Sequence, residues 1–294
     1  VDTPGLPDRS DARTAPELIN PRAERVAAVR ALSGRSARRR RGRFLVEGPQ
    51  PAREALRAGH VRVRDVYLTP DVATKHPDLV EAAWARGVRT RIGTAEVLAA
   101  MSPDGQGVVV VADMLATSLP TVLAPRPGLV AVLAHVRDPG NAGTVIRAAD
   151  AAGADAVVLT DSSVDVHNPK VVRSTAGSLF HLPVVTGARL EELVGDLRAS
   201  GMSVLAADGS GDHDLDDLMD VAEAGGEPAA GTPDLAAPTA WVFGNEAWGL
   251  RPEDRASADA VVRVPIHGRA ESLNLASAAT VCLYASARAR RATR

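Results

Sequence analysis

The stretch LVAVLAHVRDPGNAGTVIRAADAAGADAVVLT, residues 129–160, decides the fold. It opens on six continuously apolar residues, too few for a helix, which predicts a strand buried on both faces. A loop bearing Pro139, Gly140 and Gly143 follows, then a helix over 144–153 that stops at Gly153. A second apolar strand is expected over 156–160. Strand, helix and strand in a span of about 30 residues make a parallel crossover unit.

The same alternation continues outward. Downstream, it predicts a helix over 168–180, a short strand over 183–185, a helix over 189–200 and a strand over 203–208. Strands at 240–244 and 261–266 and a closing helix at 272–291 complete this half. Residues 209–239 are acidic and rich in Gly, Ala and Pro, and read as an irregular surface insertion. Upstream, strands are expected at 44–48, 61–69, 88–92 and 107–113. A helix from Pro49 to Ala58, a mainly helical 71–87 and a helix over 94–101 capped by Thr94 separate them. The fold class is therefore α/β. A small α/β domain is expected over 21–114, a linker over 115–128, and a domain built on a mostly parallel sheet over 129–294. Residues 1–20 read as a flexible tail.

Composition agrees with two domains at roughly 150 residues each, since the chain has 294 residues. With 45% hydrophobic and 24% charged residues, wholesale disorder is excluded. No apolar run reaches the roughly 18 residues that span a bilayer. The opening VDTPGLPDRSDARTAPE is acidic and Pro-rich with no apolar core, so no secretory signal is expected there. A single cysteine, Cys282, excludes an internal disulfide and a paired-cysteine metal site. The expectation is a soluble, cytoplasmic protein that needs no metal.

The net charge of −2 hides a segregation. Residues 22–43 carry nine Arg and one Glu, a local +8, whereas 208–227 carry six Asp and two Glu with no base, a local −8. Arg35, Arg38, Arg39, Arg40, Arg41 and Arg43 are candidates for neutralising the phosphates of a nucleic acid. A solvated charged segment is the competing reading. Aromatic residues make up only 3% of the chain, which argues against an aromatic platform as the basis of base recognition.

Three loops at carboxyl ends of strands are unusual in composition, and that is where parallel α/β domains hold ligands. The first, 135–150, sets Asn141 at a helix start and Arg147 about one turn inside it. A helix N-terminus with an arginine nearby suits a phosphate or ribose. Asn141 as a helix cap and Arg147 as a solvated side chain would explain the same residues. The second, VFGNEAWGL (242–250), brings Gly244, Asn245, Glu246 and Gly249 together, with Trp248 read as a packing anchor. The third, 264–279, runs from Val264, Pro265 and Ile266 through Gly268 to Ser272, Leu273 and Asn274. Ser272 could equally cap the helix that follows. Neither a dinucleotide fingerprint nor a Walker sequence occurs.

Together, these loops resemble the SpoU (TrmH-type) branch of the SPOUT superfamily of RNA 2′-O-ribose methyltransferases. The first motif is matched by Asn141, Gly143 and Arg147, the second by Gly244, Glu246, Gly249 and Leu250. The third is matched by Val264, Pro265, Ile266, Gly268, Ser272, Leu273 and Asn274. The likeness covers about 129–291, and FLVEGPQPAREAL (44–56) resembles the opening of the family's small substrate-binding domain. The pattern also resembles that of actinobacterial relatives of the thiostrepton- and avilamycin-resistance rRNA methyltransferases. The acidic insertion is the departure.

The resemblance implies a trefoil knot in the C-terminal domain, S-adenosylmethionine as cofactor and a homodimer. It implies cofactor contacts from Gly244, Asn245, Glu246, Val264, Ile266, Leu273 and Asn274. It also implies catalytic roles for Asn141, Arg147, Ser272, Asn274 and Glu246, with 23S rRNA as target or tRNA as the alternative. Arg147 would contact the target nucleotide's phosphate and assist removal of the hydroxyl proton; because arginine keeps its own proton in proteins, the alternative is that it acts by electrostatics, with a phosphate oxygen as the proton acceptor. A non-catalytic RNA-binding or ribosome-assembly factor on the same fold is the competing function.

Overall fold

Two separate sheets organise the chain, which the computed structural model describes over residues 15–225 and 228–292. The chain divides into two units, one made of residues up to 115 together with 167–180, the other of 116–166 and 181–294.

The first unit starts with two short helices, α1 (Glu24–Arg30) and α2 (Arg35–Arg41), joined by a 3-10 turn at Ala31–Ser33. Strand β1 (Arg43–Glu47), α3 (Pro49–Arg57), β2 (Val63–Leu68), α4 (Pro70–Lys75), α5 (Pro77–Ala85), β3 (Thr90–Ile92), α6 (Ala95–Met101) and β4 (Val108–Asp113) follow. The sheet order is β1-β4-β2-β3, with β4 antiparallel to both neighbours and β2 parallel to β3. The helix expected over 71–87 is two helices, because Pro77 has no amide to continue the first one. Thr94 caps α6 by accepting from the Val97 amide at 3.3 Å. Of the tail expected over 1–20, residues 1–14 lie outside the described residues. Glu17 and Leu18 are tied to the sheet edge, both amides donating to the Ile92 carbonyl at 2.9 and 3.0 Å.

Residues 167–180 join this unit as a helix, α9 in chain order (Pro169–Ser174), and a 3-10 turn at Ser178–Phe180. The single helix expected over 168–180 is broken at Ala176 and Gly177, whose φ angles of 51° and 108° lie in the left-handed region. Phe44 on β1 stacks on Phe180 and meets His167 edge-on, and Arg173 pairs with the buried Glu47 carboxylate.

The second unit holds α7 (Leu119–Leu123), β5 (Leu129–Leu133), α8 (Pro139–Ala152), β6 (Ala156–Thr160), β7 (Val184–Ala188), α10 (Leu190–Ala199) and β8 (Ser203–Ala207). It continues through β9 (His213–Asp214), α11 (Leu215–Ala224), β10 (Thr239–Phe243), α12 (Pro252–Ala256), β11 (Ala260–Arg263) and α13 (Leu275–Ala292). The seven strands run in the order β7-β6-β5-β10-β8-β11-β9, and every pairing is parallel. This is the mostly parallel α/β architecture that the apolar strands predict. Strands β5, β6 and β10 are buried along their whole length. Each fully buried Val or Leu there contributes about 1.5–3 kcal/mol. Trp241 is fully buried on β10 and donates its Nε1–H to the Ser286 hydroxyl on α13 at 2.9 Å, fixing that helix to the sheet. Cys282 is fully buried, which pushes its thiol up to about 12 and keeps it protonated and inert.

The insertion expected to be irregular is partly ordered. His213 and Asp214 pair with Val262 and Arg263, and α11 buries Leu215 and Leu218 while presenting its acidic side chains outward. Apolar residues at 215, 218, 219 and 222 give that helix a buried stripe despite the negative charge around it.

Candidate active site

Parallel registry brings the loops together. Phe243 at the end of β10 is level with Leu133 at the end of β5 and with Ala207 at the end of β8, and Ala207 is level with Val262 on β11. All four strands therefore release their chains at one edge. The loops after β8, β10 and β11 line a single cleft of about 350 Å³, and the loop after β5 is bonded to two of them.

The cleft is lined by Ala207, Asp208 and Gly209, by Phe243 to Ala247 with Gly249, and by Val264, Ile266, Glu271, Ser272, Leu273, Leu275 and Ala278. Of the expected cofactor residues, Gly244, Asn245, Glu246, Val264, Ile266 and Leu273 line it; Asn274 does not. Gly244 has to be glycine: a Cβ there would lie 2.3 Å from the Gly249 carbonyl carbon and 2.5 Å from the Leu250 nitrogen. The turn is closed by reciprocal bonds between the Asn245 and Gly249 backbones, both 2.9 Å, and Gly249 has a φ of +68°.

Side chains tie the loops to each other. Glu246 accepts from the amides of Arg137 and Asp138, at 3.2 and 3.0 Å. Asn245 donates to the His135 carbonyl at 2.7 Å and accepts from the Ala247 amide at 2.9 Å, so its side chain braces the turn. Asn274 donates to the Asn141 carboxamide oxygen at 3.0 Å and accepts from the Ala276 amide at 2.9 Å, joining α13 to α8. The cap of α8 is Asp138, which accepts from the Asn141 amide at 2.7 Å, so Asn141 is inside the helix rather than its cap. Likewise the cap of α13 falls to Asn274, which leaves Ser272 exposed on the cleft wall with its hydroxyl free among the described residues.

Arg147 stands on the exposed face of α8, its guanidinium without a hydrogen bond or ion pair among the described residues, and does not line the cleft. Trp248 is 45% exposed, which corrects its reading as a packing anchor; the buried anchor is Trp241. Asp208 was not singled out from the sequence, where it reads only as the start of the acidic run. Burial works to raise its carboxyl, but the Ser210 hydroxyl and amide, with Arg255, outweigh that and hold it below the usual carboxylate range. Its position at the carboxyl end of β8 was the available signal.

In the first unit, the arginine cluster forms α2. Arg38 is only 2% exposed and turns its guanidinium onto the carbonyls of Leu32 and Ser33, at 3.1 and 2.6 Å. It closes the preceding 3-10 turn, which corrects its reading as a phosphate contact. Arg41 donates to the Ala28 carbonyl at 2.6 Å, and Arg43 lies 3.7 Å from Asp113. Arg35, Arg39 and Arg40 are exposed and unpaired among the described residues.

These features suit a nucleoside-bearing ligand. From Val264 to Leu273, no backbone amide or carbonyl is hydrogen-bonded among the described residues. Apolar walls at Phe243, Leu273 and Ala278 face the cleft beside them. Such unpaired backbone groups at a site wide enough for a nucleoside match the donor and acceptor edges of adenine and ribose.

Comparison with known proteins places these features in a family. The SpoU rRNA Methylase family model matches residues 128–284, and the model for RNA 2′-O ribose methyltransferase substrate binding matches 45–118. The chain is 32% identical to the 23S rRNA (uridine(2479)-2′-O)-methyltransferase of Streptomyces viridochromogenes, over 96% of each chain. It is 31% identical to the 23S rRNA (guanosine(2553)-2′-O)-methyltransferase of Bacillus subtilis, over 89% of this chain and 95% of that one. Among solved structures, it resembles the SpoU methyltransferase AviRb from Streptomyces viridochromogenes in complex with AdoMet. The TM-score is 0.75 at 32% identity, over 93% of this chain and 100% of that one.

Proposed function

The chain belongs to the SpoU rRNA methylase family, and we propose that it transfers a methyl group from S-adenosylmethionine to a ribose 2′-hydroxyl of 23S rRNA. The observation that carries this reading is the convergence of the motif loops on one glycine-walled cleft whose backbone groups are left open. When bound, the cofactor supplies an electrophilic methyl group on a sulfonium. The backbone of Gly244, Val264, Ile266 and Leu273 grips its adenine and ribose. Glu246, Asn245 and Asn274 hold the loops in register, as their bonds to the first loop support. The Ser272 hydroxyl orients the target ribose. Arg147 keeps its proton, holds the target nucleotide's phosphate and stabilises the ribose oxygen as its proton passes to a phosphate oxygen. Threading of these loops as a trefoil knot belongs to the same proposal.

A homodimer is part of it too. Arg147 is exposed, unpartnered and outside its own chain's cleft lining, and Val281 and Tyr284 are exposed apolar residues on α13. These support a seam at which Arg147 completes the site. No described helix is long and apolar enough to cross a membrane, and a cytoplasmic encounter with ribosomal RNA fits the proposed substrate.

The test is transfer of labelled methyl groups from S-adenosylmethionine to transcribed 23S rRNA and to tRNA, followed by digestion to nucleosides. A 2′-O-methylated nucleoside from the 23S RNA is expected. A methylated base, label on tRNA alone, or no label would reject the proposal. The arginine cluster gives a second expectation. Replacing Arg35, Arg39 and Arg40 by alanine lowers the slope of log affinity for RNA against log salt by about 2–3, since each phosphate contact contributes roughly 0.7–0.9. Arg38→Ala lowers the melting temperature instead, because buried carbonyls lose their donor. Filter binding over a salt series, beside thermal melts, separates the two.

A further inference from the structure

Trp248 is the one residue of the second motif loop whose placement the bracing of the loops leaves unexplained. Its neighbours Ala247 and Gly249 both line the cleft, while Trp248 itself turns outward and stays 45% exposed. It is held there firmly. The turn beneath it is closed by the Asn245 and Gly249 backbones, and Glu246 clamps it to the amides of Arg137 and Asp138. On the ring lies the Arg137 guanidinium, its Cζ 5.3 Å from the ring centroid. Beyond this ring contact the Arg137 guanidinium has no hydrogen bond or ion pair among the described residues, so its N–H donors remain open.

A half-exposed indole carrying a guanidinium is a surface made for stacking. Bases stack on aromatic rings and on guanidinium planes, and the open N–H groups suit a phosphate oxygen. The surroundings are polar: Arg137, Asp138 and Glu246 are all exposed beside it, which suits a nucleotide better than an apolar seam between copies. We propose that Arg137 and Trp248 form a docking platform for an unpaired nucleotide of the RNA substrate, at the rim of the cleft. This rests on the RNA-methylating function proposed above. It adds a recognition site of one Trp and one Arg in a chain poor in aromatic residues.

The experiment uses the full chain, transcribed 23S rRNA as the probe and filter binding at several salt concentrations. Cofactor titration without RNA and sedimentation accompany it. Trp248→Ala is expected to weaken RNA binding about tenfold or more at every salt concentration, because stacking does not release counterions. Trp248→Phe retains most of the affinity, and Arg137→Ala lowers the salt slope by about one. Affinity for S-adenosylmethionine stays unchanged in all three. RNA affinity unaffected by Trp248→Ala overturns the proposal. So does an equal fall in cofactor affinity, which would make Trp248 a brace of the turn, or dissociation of an oligomer, which would make it a seam residue. RNA binding that depends on Trp248 in a protein whose wild type transfers no methyl group would remove the proposed reaction and uphold the platform.

Discussion

Replacing Arg147 by alanine is expected to abolish methyl transfer to RNA while leaving cofactor affinity within a few-fold. The separation follows from where the side chain stands. Arg147 points away from the core on α8, has no partner among the described residues, and lines no part of the cleft that would hold the cofactor. Its removal therefore opens no cavity and breaks no loop contact, so melting temperature and cofactor binding should hold. What is lost is a fixed positive charge at the oxygen that gives up its proton, and the grip on the neighbouring phosphate. Losses of this kind cost roughly 10²–10⁴ in rate. Lysine at 147 should recover little, because a point charge cannot hold phosphate with two parallel N–H groups. Single-turnover transfer beside calorimetric cofactor titration checks both halves. Equal loss of both quantities would make Arg147 a structural residue.

Gly244→Ala should act in the opposite manner, weakening cofactor binding first. The added Cβ would stand 2.3 Å from the Gly249 carbonyl carbon and 2.5 Å from the Gly249 oxygen and the Leu250 nitrogen. All three are backbone atoms, so no side chain can swing aside. The turn closed by Asn245 and Gly249 must open, and with it Glu246 leaves the amides of Arg137 and Asp138. Forced shifts of this kind cost about 1–3 kcal/mol. The cleft wall deforms, and cofactor affinity should fall by about 5- to 150-fold. Gly195→Ala on α10 serves as the control. A Cβ there meets nothing within 4 Å, and helix propensity predicts a gain of about 0.5–1 kcal/mol with no change in cofactor binding. Thermal melts of the two variants should move in opposite directions, and cofactor titration should fall for Gly244→Ala alone.

The parallel sheet was legible because its strands are short, apolar and spaced by helices, a pattern that only a sheet covered on both faces satisfies. The motif loops were legible because glycines and small polar residues recur where strands end. Other features depend on tertiary neighbours. The cap of α8 could be Asp138 or Asn141 on propensity alone, and Glu246 decides by holding the Asp138 amide. Strand β11 stops at Arg263, three residues before the expected end, because Pro265 cannot donate to a ladder. Arg38 looks like its neighbours in a basic run, yet the carbonyls of Leu32 and Ser33 draw it inward. Trp241 and Trp248 are both flanked by small or apolar residues, and nothing local tells which is buried. The order in the acidic insertion was hidden by its charge, which masks the apolar stripe of α11.

A profile of ribose methylation across 23S rRNA, read from resistance of each linkage to alkaline cleavage, decides whether this chain methylates ribosomal RNA and whether Arg147 is needed for it. It is taken from a strain deleted for this protein, then complemented with wild type or with Arg147→Ala. One protected linkage should vanish on deletion, return with the wild type and stay absent with the variant. An unchanged profile would remove 23S rRNA as the substrate, and full restoration by Arg147→Ala would remove Arg147 from the reaction.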